Sequence, residues 1–151
     1  MFNFYQRLLP ITLVLTGYMG RRKALNAVAL GKRVLQILDE VKAVDPVLMD
    51  VGSISGFADA MIVVTGTSSR HIRSMHDALI STVKEMETPL LGVEGKESND
   101  WILVDLGDLI VHLMRQEARE FYDLEKFWSN QKLSNIGSGE IHEDSHNLDF
   151  K

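Results

Sequence analysis

The sequence predicts an α/β fold in which one mixed β-sheet is covered by helices. Three observations favour this class. The run Ala60–Val64 is apolar without alternation, the segments Trp101–Asp105 and Leu109–Met114 are short and rich in β-branched residues, and two other segments carry apolar residues at helical spacing. The predicted order of elements is α-β-β-α-β-β-β-α.

The first helix and the first two strands are predicted from residues 24 to 65. Apolar residues recur at helical spacing in Ala24–Val44, and they are Leu30, Val34, Ile37, Leu38 and Val41. Asp45-Pro46 is expected to end this helix, because the residue before proline disfavours helical backbone. Strands are predicted at Val47–Val51 and Phe57–Thr65, and the unbroken apolar run in the second places it inside the sheet with both faces covered.

The segment Thr65–His71 is typical of a strand that passes through glycine into a helix capped by Thr or Ser. Spacings of three and four residues then predict a buried stripe of Ile72, Met75, Leu79, Val83 and Met86. A phosphate could bind at such a helix start, but the P-loop and dinucleotide patterns are both missing, so a plain strand-to-helix turn is favoured. Leu90–Glu94 is predicted to be the third strand.

A hairpin and a last helix are predicted from residues 101 to 128. Trp101–Asp105 and Leu109–Met114 are expected to pair across a tight turn at Gly107-Asp108. Helix-favouring residues begin at Arg115, and four aromatic residues follow: Phe121, Tyr122, Phe127 and Trp128. These rings either complete the core, which ordinary burial preferences favour, or wait for a partner.

The predicted folded domain comprises residues 24–129. Residues 1–23 are expected to be a loosely ordered extension, since their apolar stretch is shorter than the ~20 residues that cross a bilayer and lacks a clear signal cleavage site. Residues 130–151 are predicted to be a polar, flexible tail. Its His142–His146 segment could hold a metal, but a solvated tail is favoured because a flexible chain would first have to be ordered.

The charge of the chain is unevenly distributed. The 151 residues carry a net charge of −5, yet residues 1–23 hold four basic residues and no acid, while residues 24–128 hold ten Lys and Arg against 17 Asp and Glu. An acidic domain lacks the basic patch that nucleic-acid binding needs, so a basic protein partner is favoured. The alternative is that the acidity only keeps the domain soluble. Without cysteine the chain has neither disulfides nor thiolate chemistry.

His112 is the main candidate for acid-base chemistry. Strand alternation places it on the face of Ile110 and Met114, where Asp105 of the neighbouring strand could orient it. The favoured interpretation is a partly buried imidazole satisfied by a carboxylate or by backbone. We therefore predict no catalytic residue, no cofactor and no metal site, and we predict that the chain is not an enzyme.

Five segments stand out as motifs. They read ADAMIVVTGTSSRH from residue 58, LGVEG from residue 91, and DWILVDLGD, VHLM and EAREFYDLEKFW from residue 100 onward. Together they resemble the ribosomal silencing factor family, also called the RsfS or Iojap family. The resemblance covers roughly residues 24–129. It implies a nucleotidyltransferase-like sandwich that binds the large ribosomal subunit through its ribosomal protein fourteen, a basic protein at the subunit interface. It further implies steric block of small-subunit joining and repression of translation under nutrient limitation.

The resemblance also implies a partner-binding surface. Residues that match family motif positions are Trp101, Asp105, Asp108, Met114, Arg115 and Tyr122. Trp, Tyr, Met and Arg are favoured as interface anchors. Structural alternatives stay open, with Trp101 as a core ring, Tyr122 as a lid over the sheet and Arg115 as a charge paired within the helix. No direct contact with nucleic acid and no membrane is required, and the free chain could form a homodimer. The expected location is the cytoplasm, with an organellar matrix as the alternative.

The alternative function is that of a nucleotidyltransferase-like, nucleotide-binding enzyme. Gly66-Thr67-Ser68 imitates the glycine-serine loop of such enzymes. However, no Asp-x-Asp pair follows it, and Asp105 and Asp108 straddle a turn, so their carboxylates need not converge on a metal. Similarity of fold does not confer the reaction, so the binding protein is favoured.

Overall fold

The computed structural model describes residues 24–98 and 100–137, so the predicted extension 1–23 and the tail segment His142–His146 lie outside the described residues. Nine elements follow in order. They are α1 (Ala24–Glu40), β1 (Val44–Asp50), β2 (Ala60–Thr65), α2 (Ser69–Glu85), β3 (Gly92–Glu94), β4 (Trp101–Asp105), β5 (Leu109–Met114), α3 (Gln116–Tyr122) and α4 (Leu124–Gly137). Within this described part, no helix is long and apolar enough to cross a membrane.

The five strands form one mixed sheet in the order β1-β2-β5-β4-β3. Strands β2 and β5 are parallel, and the other neighbours are antiparallel. Helices α1 and α2 pack their apolar residues against one face, while Leu124 and Trp128 of α4 pack against the other face. The predicted α/β class with a helix-covered mixed sheet is therefore confirmed.

The three central strands are buried along their whole length, which the unbroken apolar run predicts for β2. The hairpin of β4 and β5 has the predicted bounds. Its turn at Gly107 adopts a φ of +85°, and the Gly107 amide donates to Oδ1 of Asp105 over 2.9 Å. Glycine takes such left-handed backbone at no steric cost, so the turn is matched to its sequence.

The core between the sheet and the first two helices follows the predicted stripes. The buried side chains are Val34, Ile37 and Leu38 of α1 together with Ile72, Met75, Leu79 and Val83 of α2. Each fully buried side chain of this size contributes roughly 1.5–3 kcal/mol of transfer free energy. Ser68 caps α2 by accepting from the His71 amide over 3.0 Å. The prediction for Met86 is wrong: it follows the end of α2 and is exposed.

Several predicted boundaries shift. Helix α1 ends at Glu40 because the chain turns through Lys42 with a φ of +60°, and Asp45-Pro46 lies inside β1 at a register irregularity between Val44 and Val47. An edge strand tolerates such a proline. Strand β2 starts at Ala60 instead of Phe57, since Oγ of Ser55 accepts from the Phe57 and Ala58 amides and holds a turn there. Strand β3 starts at Gly92 instead of Leu90.

The predicted last helix is two helices. Asp123 has a φ of +42°, and this left-handed residue separates α3 from α4. The second of these helices continues to Gly137, past the domain boundary predicted at Ser129. The segment from residue 130 to residue 137 is therefore helical, in contrast to the flexible tail expected there.

Candidate functional site

Trp101 opens β4 and lies in the core. Its side chain is almost completely buried, and its indole Nε1 donates to Nδ1 of His112 over 3.1 Å. The ring also lies against Tyr122, with the ring centroids 4.7 Å apart. Of the two interpretations left open for Trp101, the structure supports the core ring, with one side facing α3.

His112 is fully buried on β5, and its partner is not the one expected. Asp105 lies opposite Ile110 in the register, two pairs further along the sheet, whereas Trp101 supplies the hydrogen bond. The predicted pair of His112 with Asp105 is therefore wrong. Burial lowers the pKa of His112 to about 3, so the imidazole is neutral at ordinary pH. With Nδ1 as the acceptor, Nε2 carries the proton, and it has no hydrogen-bond partner in the described part of the chain.

Asp105 and Asp108 belong to the turn of the hairpin. Asp105 is mostly buried and accepts from the Gly107 amide; burial raises its pKa, and that hydrogen bond lowers it by less. The backbone oxygen of Asp108 accepts from the Asp59 and Ala60 amides, each over 3.0 Å. This turn lies about 13 Å from Trp101, given the rise of a five-residue strand. The predicted contact residues therefore lie at both ends of β4.

Met114 lies directly opposite Trp101 in the sheet and has no exposed surface. It packs in the cluster that includes Trp101, Leu124 and Trp128. The register explains this position, because it turns Met114 towards the face that α3 and α4 cover. Met114 supports the Trp101 ring and is not itself available to a partner.

Arg115 and Tyr122 stand at the two ends of α3 and are partly exposed. A guanidinium nitrogen of Arg115 lies 3.7 Å from the carboxylate of Glu117, and another is 3.5 Å from Oγ of Ser69. Tyr122 is flanked by Trp101 on the core side and by Phe121 on the outside, with the ring centroids of Phe121 and Tyr122 5.0 Å apart. We call Arg115, Phe121 and Tyr122 the α3 surface.

Two exposed aromatic residues were not among the predicted contact residues. Phe121 is 76% exposed and Phe127 is 49% exposed, while Trp128 is buried. Some of the closing aromatic residues therefore complete the core, and others are exposed and available to a partner, so both predicted alternatives occur. The position of each residue on the helix is the feature of the sequence that separates packed residues from exposed ones. Ala118 and Tyr122, four residues apart, pack against the core, and Phe121 lies off their stripe.

The acidic charge is unevenly distributed among the segments of the domain. The two-helix layer with its connections, residues 24–43 and 66–91, holds six Lys and Arg against five Asp and Glu. Residues 44–65 and 92–128, which comprise the strands, the hairpin, α3 and the start of α4, hold four against twelve. The segments that include the α3 surface therefore carry the excess negative charge of the domain.

The serine of the glycine-serine loop has a structural role. Oγ of Ser68, in the loop that imitates a nucleotidyltransferase, caps α2. Among residues 24–98 and 100–137, no group of three or more His, Cys, Asp or Glu side chains is arranged to hold a metal. The likeness to nucleotidyltransferases stays a prediction.

The chain is similar to known proteins over most of its length. The family model described as "Ribosomal silencing factor during starvation" matches residues 24–150. A ribosomal silencing factor RsfS of Haemophilus influenzae is 46% identical over 101 residues, which is 67% of this chain and 99% of the relative. A mouse protein named "Mitochondrial assembly of ribosomal large subunit protein 1" is 32% identical, with 73% of this chain and 51% of the relative covered.

Solved structures share the fold. A crystal structure of a Chromobacterium violaceum protein superposes with a TM-score of 0.66 at 32% identity, covering 68% of this chain and 86% of that one. A Bacillus halodurans structure gives a TM-score of 0.61 at 29% identity, covering 66% and 93%. The residues that the family model matches include the hairpin and both closing helices. The chain belongs to the ribosomal silencing factor family.

Proposed function

We propose that this protein binds the large ribosomal subunit through the basic ribosomal protein fourteen, using the α3 surface. The bound protein then stands where the small subunit must dock, and translation is repressed when nutrients are limiting. No covalent step is involved. The extent of repression follows from the affinity and from the fraction of large subunits that are occupied.

The observation that carries this proposal is the distribution of charge. The segments with twelve acidic and four basic residues include α3, which exposes Phe121. Complementary charge speeds the encounter of two proteins and disfavours partners of the same sign. An acidic domain with exposed aromatic rings therefore suits a basic protein surface better than nucleic acid, whose phosphates it would repel.

The geometry of the rings supports the same surface. Tyr122 is held between the buried Trp101 and the exposed Phe121, so its orientation is fixed before a partner arrives. Aromatic residues held in this way lose little conformational freedom on binding. Rings of this type often supply a large share of the binding energy at protein interfaces.

The decisive experiment uses purified subunits. The protein should co-sediment with large subunits and not with small ones, and it should reduce the formation of complete ribosomes when it is added before the subunits are mixed. Added after joining, it should act only as fast as ribosomes dissociate, because the site is then covered. Full subunit joining at saturating protein would refute the proposal.

Variants of exposed residues locate the surface. Phe121→Ala and Tyr122→Ala should weaken large-subunit binding about tenfold. Val28→Ala, an exposed apolar residue on α1, is the matched control and should bind like the unchanged protein. Trp101→Ala is less informative, since removal of a buried, hydrogen-bonded ring also destabilises the fold. Unchanged binding by both ring variants would remove the α3 surface from the proposal.

Charge variants test the electrostatic argument separately. Glu117→Lys places a positive charge on α3, whereas Glu40→Lys makes the same change at the end of α1. The first should slow association and reduce its dependence on salt, and the second should not. Equal effects of the two variants would mean that only the net charge of the protein matters.

The free protein could also pair with itself through the same exposed rings. Light scattering over a range of concentrations measures this, and large subunits should then compete with self-association. The relatives come from bacteria and from mitochondria, so the cytoplasm and an organellar matrix are both compatible places of action.

A further inference from the structure

Helix α3 carries the proposed docking surface but buries none of its own residues. It has seven residues, and isolated helices of that length are unstable in water. Only Ala118 and Tyr122 pack against the core, and both are partly exposed. Apolar burial is therefore a weak source of order for this helix, and its position depends on other contacts.

Arg119 supplies those contacts. Its side chain is 12% exposed, and its guanidinium reaches three other elements. Nη1 donates to the backbone oxygen of Asp45 in β1 over 2.8 Å and to Oγ1 of Thr65 in β2 over 2.9 Å. Nε donates to Oε1 of Glu125 in α4 over 2.8 Å. A planar guanidinium with several fixed donors can satisfy these acceptors together, which a lysine ammonium does less well.

The contact with Glu125 bridges a bend. Asp123 between α3 and α4 adopts a φ of +42°, a conformation that residues other than glycine take at some cost. The Asp123 amide donates to the backbone oxygen of Arg119 over 2.9 Å, so the same residue holds the bend through its main chain and through its side chain. The angle between the two helices is thereby coupled to the sheet.

We propose that Arg119 is a positioning residue, which fixes α3 on the sheet so that Phe121 and Tyr122 are presented in one orientation before the partner arrives. Arg119 need not touch the partner. The effect of Arg119 on binding rests on the proposed function. The effect of Arg119 on the order of α3 does not depend on it. A docking surface that is already ordered binds more tightly because less conformational entropy is lost on association.

The test compares Arg119→Gln with Arg33→Gln, which removes the same charge from α1, where Arg33 donates to nearby Gln36. Arg119→Gln should weaken binding to large subunits about tenfold, while Arg33→Gln should leave it unchanged. The direction in which the affinity changes is informative. Removal of a positive charge from an acidic surface would strengthen attraction to a basic partner if Arg119 acted through its charge alone. Binding equal to or tighter than that of the unchanged protein overturns the proposal.

Hydrogen exchange supplies a readout that global destabilisation does not reproduce. Amides of residues 119–123 should exchange at least several-fold faster in Arg119→Gln, while amides of β2 and β5 keep their protection. Uniform loss of protection across the sheet would mean a general structural role and would also overturn the proposal. Trp101 fluorescence should change as well, because the Tyr122 ring packed on it would move.

Milder variants keep the test decisive if Arg119→Gln folds poorly. Glu125→Ala and Thr65→Val each remove one acceptor, and each should weaken binding in the same direction with a smaller effect. Arg119→Lys should restore part of the loss. If the unchanged protein does not bind large subunits, the proposed function fails, and the exchange experiment alone still decides whether Arg119 orders α3.

Discussion

The indole Nε1 of Trp101 donates to Nδ1 of His112 over 3.1 Å, between diagonal neighbours on adjacent antiparallel strands. This bond fixes the tautomer of a fully buried imidazole and the orientation of a buried indole. Because Tyr122 packs on the same indole, the bond connects the centre of the sheet to the α3 surface.

The two tryptophans should respond differently to loss of their N–H groups. Trp101→Phe leaves Nδ1 of His112 buried without its donor, so it should cost about 1–3 kcal/mol in the free energy of unfolding beyond the change in packing. Nε1 of Trp128 is buried and has no hydrogen-bond partner in the described part of the chain. Trp128→Phe should therefore cost less. Urea denaturation of both variants measures this, and equal losses would contradict the assigned hydrogen bond.

Acid should destabilise the protein through His112. In the unfolded chain this imidazole takes up a proton as the pH falls below 6.5, whereas in the folded protein the pKa is lowered to about 3 by burial. The unfolded state therefore binds more protons in this window, and stability present above pH 6.5 is lost as the pH falls towards 3. The slope should be about 1 kcal/mol per pH unit.

The matched variant for this prediction is His112→Asn, whose amide oxygen can accept from Trp101 but does not titrate. The free energy of unfolding, measured from about pH 7 down to about pH 5, should fall less steeply in the variant than in the unchanged protein. The two slopes should differ by about 1 kcal/mol per pH unit. Parallel curves for the two proteins would show that His112 is not responsible.

Asp105 should change the stability of the protein with pH in the direction opposite to His112. Burial raises its pKa, so its charge opposes folding at neutral pH, and the folded protein gains a proton first as the pH falls towards the unfolded value of 3.8. Asp105→Asn keeps an oxygen for the Gly107 amide and removes the charge. It should leave stability at neutral pH unchanged or higher, while Asp105→Ala should lower it by about 1 kcal/mol. Thermal denaturation compares them, and a large loss for Asp105→Asn would contradict the pKa direction.

Two glycines near β3 give another matched pair. Gly95 has a φ of +82°, and a Cβ there would collide with the backbone oxygen of Trp101. Gly92 has nothing within 4 Å of the place where its Cβ would be. Gly95→Ala should therefore cost about 2 kcal/mol or more through strain, while Gly92→Ala should stay within about 0.5 kcal/mol of the unchanged protein. The order of their denaturation midpoints checks this, and a reversed order would refute it.

The sequence by itself determined the class of the fold and most of its elements. An unbroken apolar run identified β2, and short runs rich in β-branched residues identified β4 and β5. A Gly-Asp turn identified the hairpin of β4 and β5, and helical spacing identified the stripe of α2, because these features depend on neighbours within a few residues. Boundaries failed where side chains or left-handed residues redirect the backbone, as at Lys42, Ser55 and Asp123.

Only the tertiary structure decided which candidate residues are exposed. Trp101 and Met114 carry the residue types of an interface, yet sheet register turns both into the core. Arg119 and Asp45 are separated by 74 positions, and no local pattern indicates their contact. Periodicity records which residues are apolar, whereas contacts between distant segments decide which of them a partner can reach.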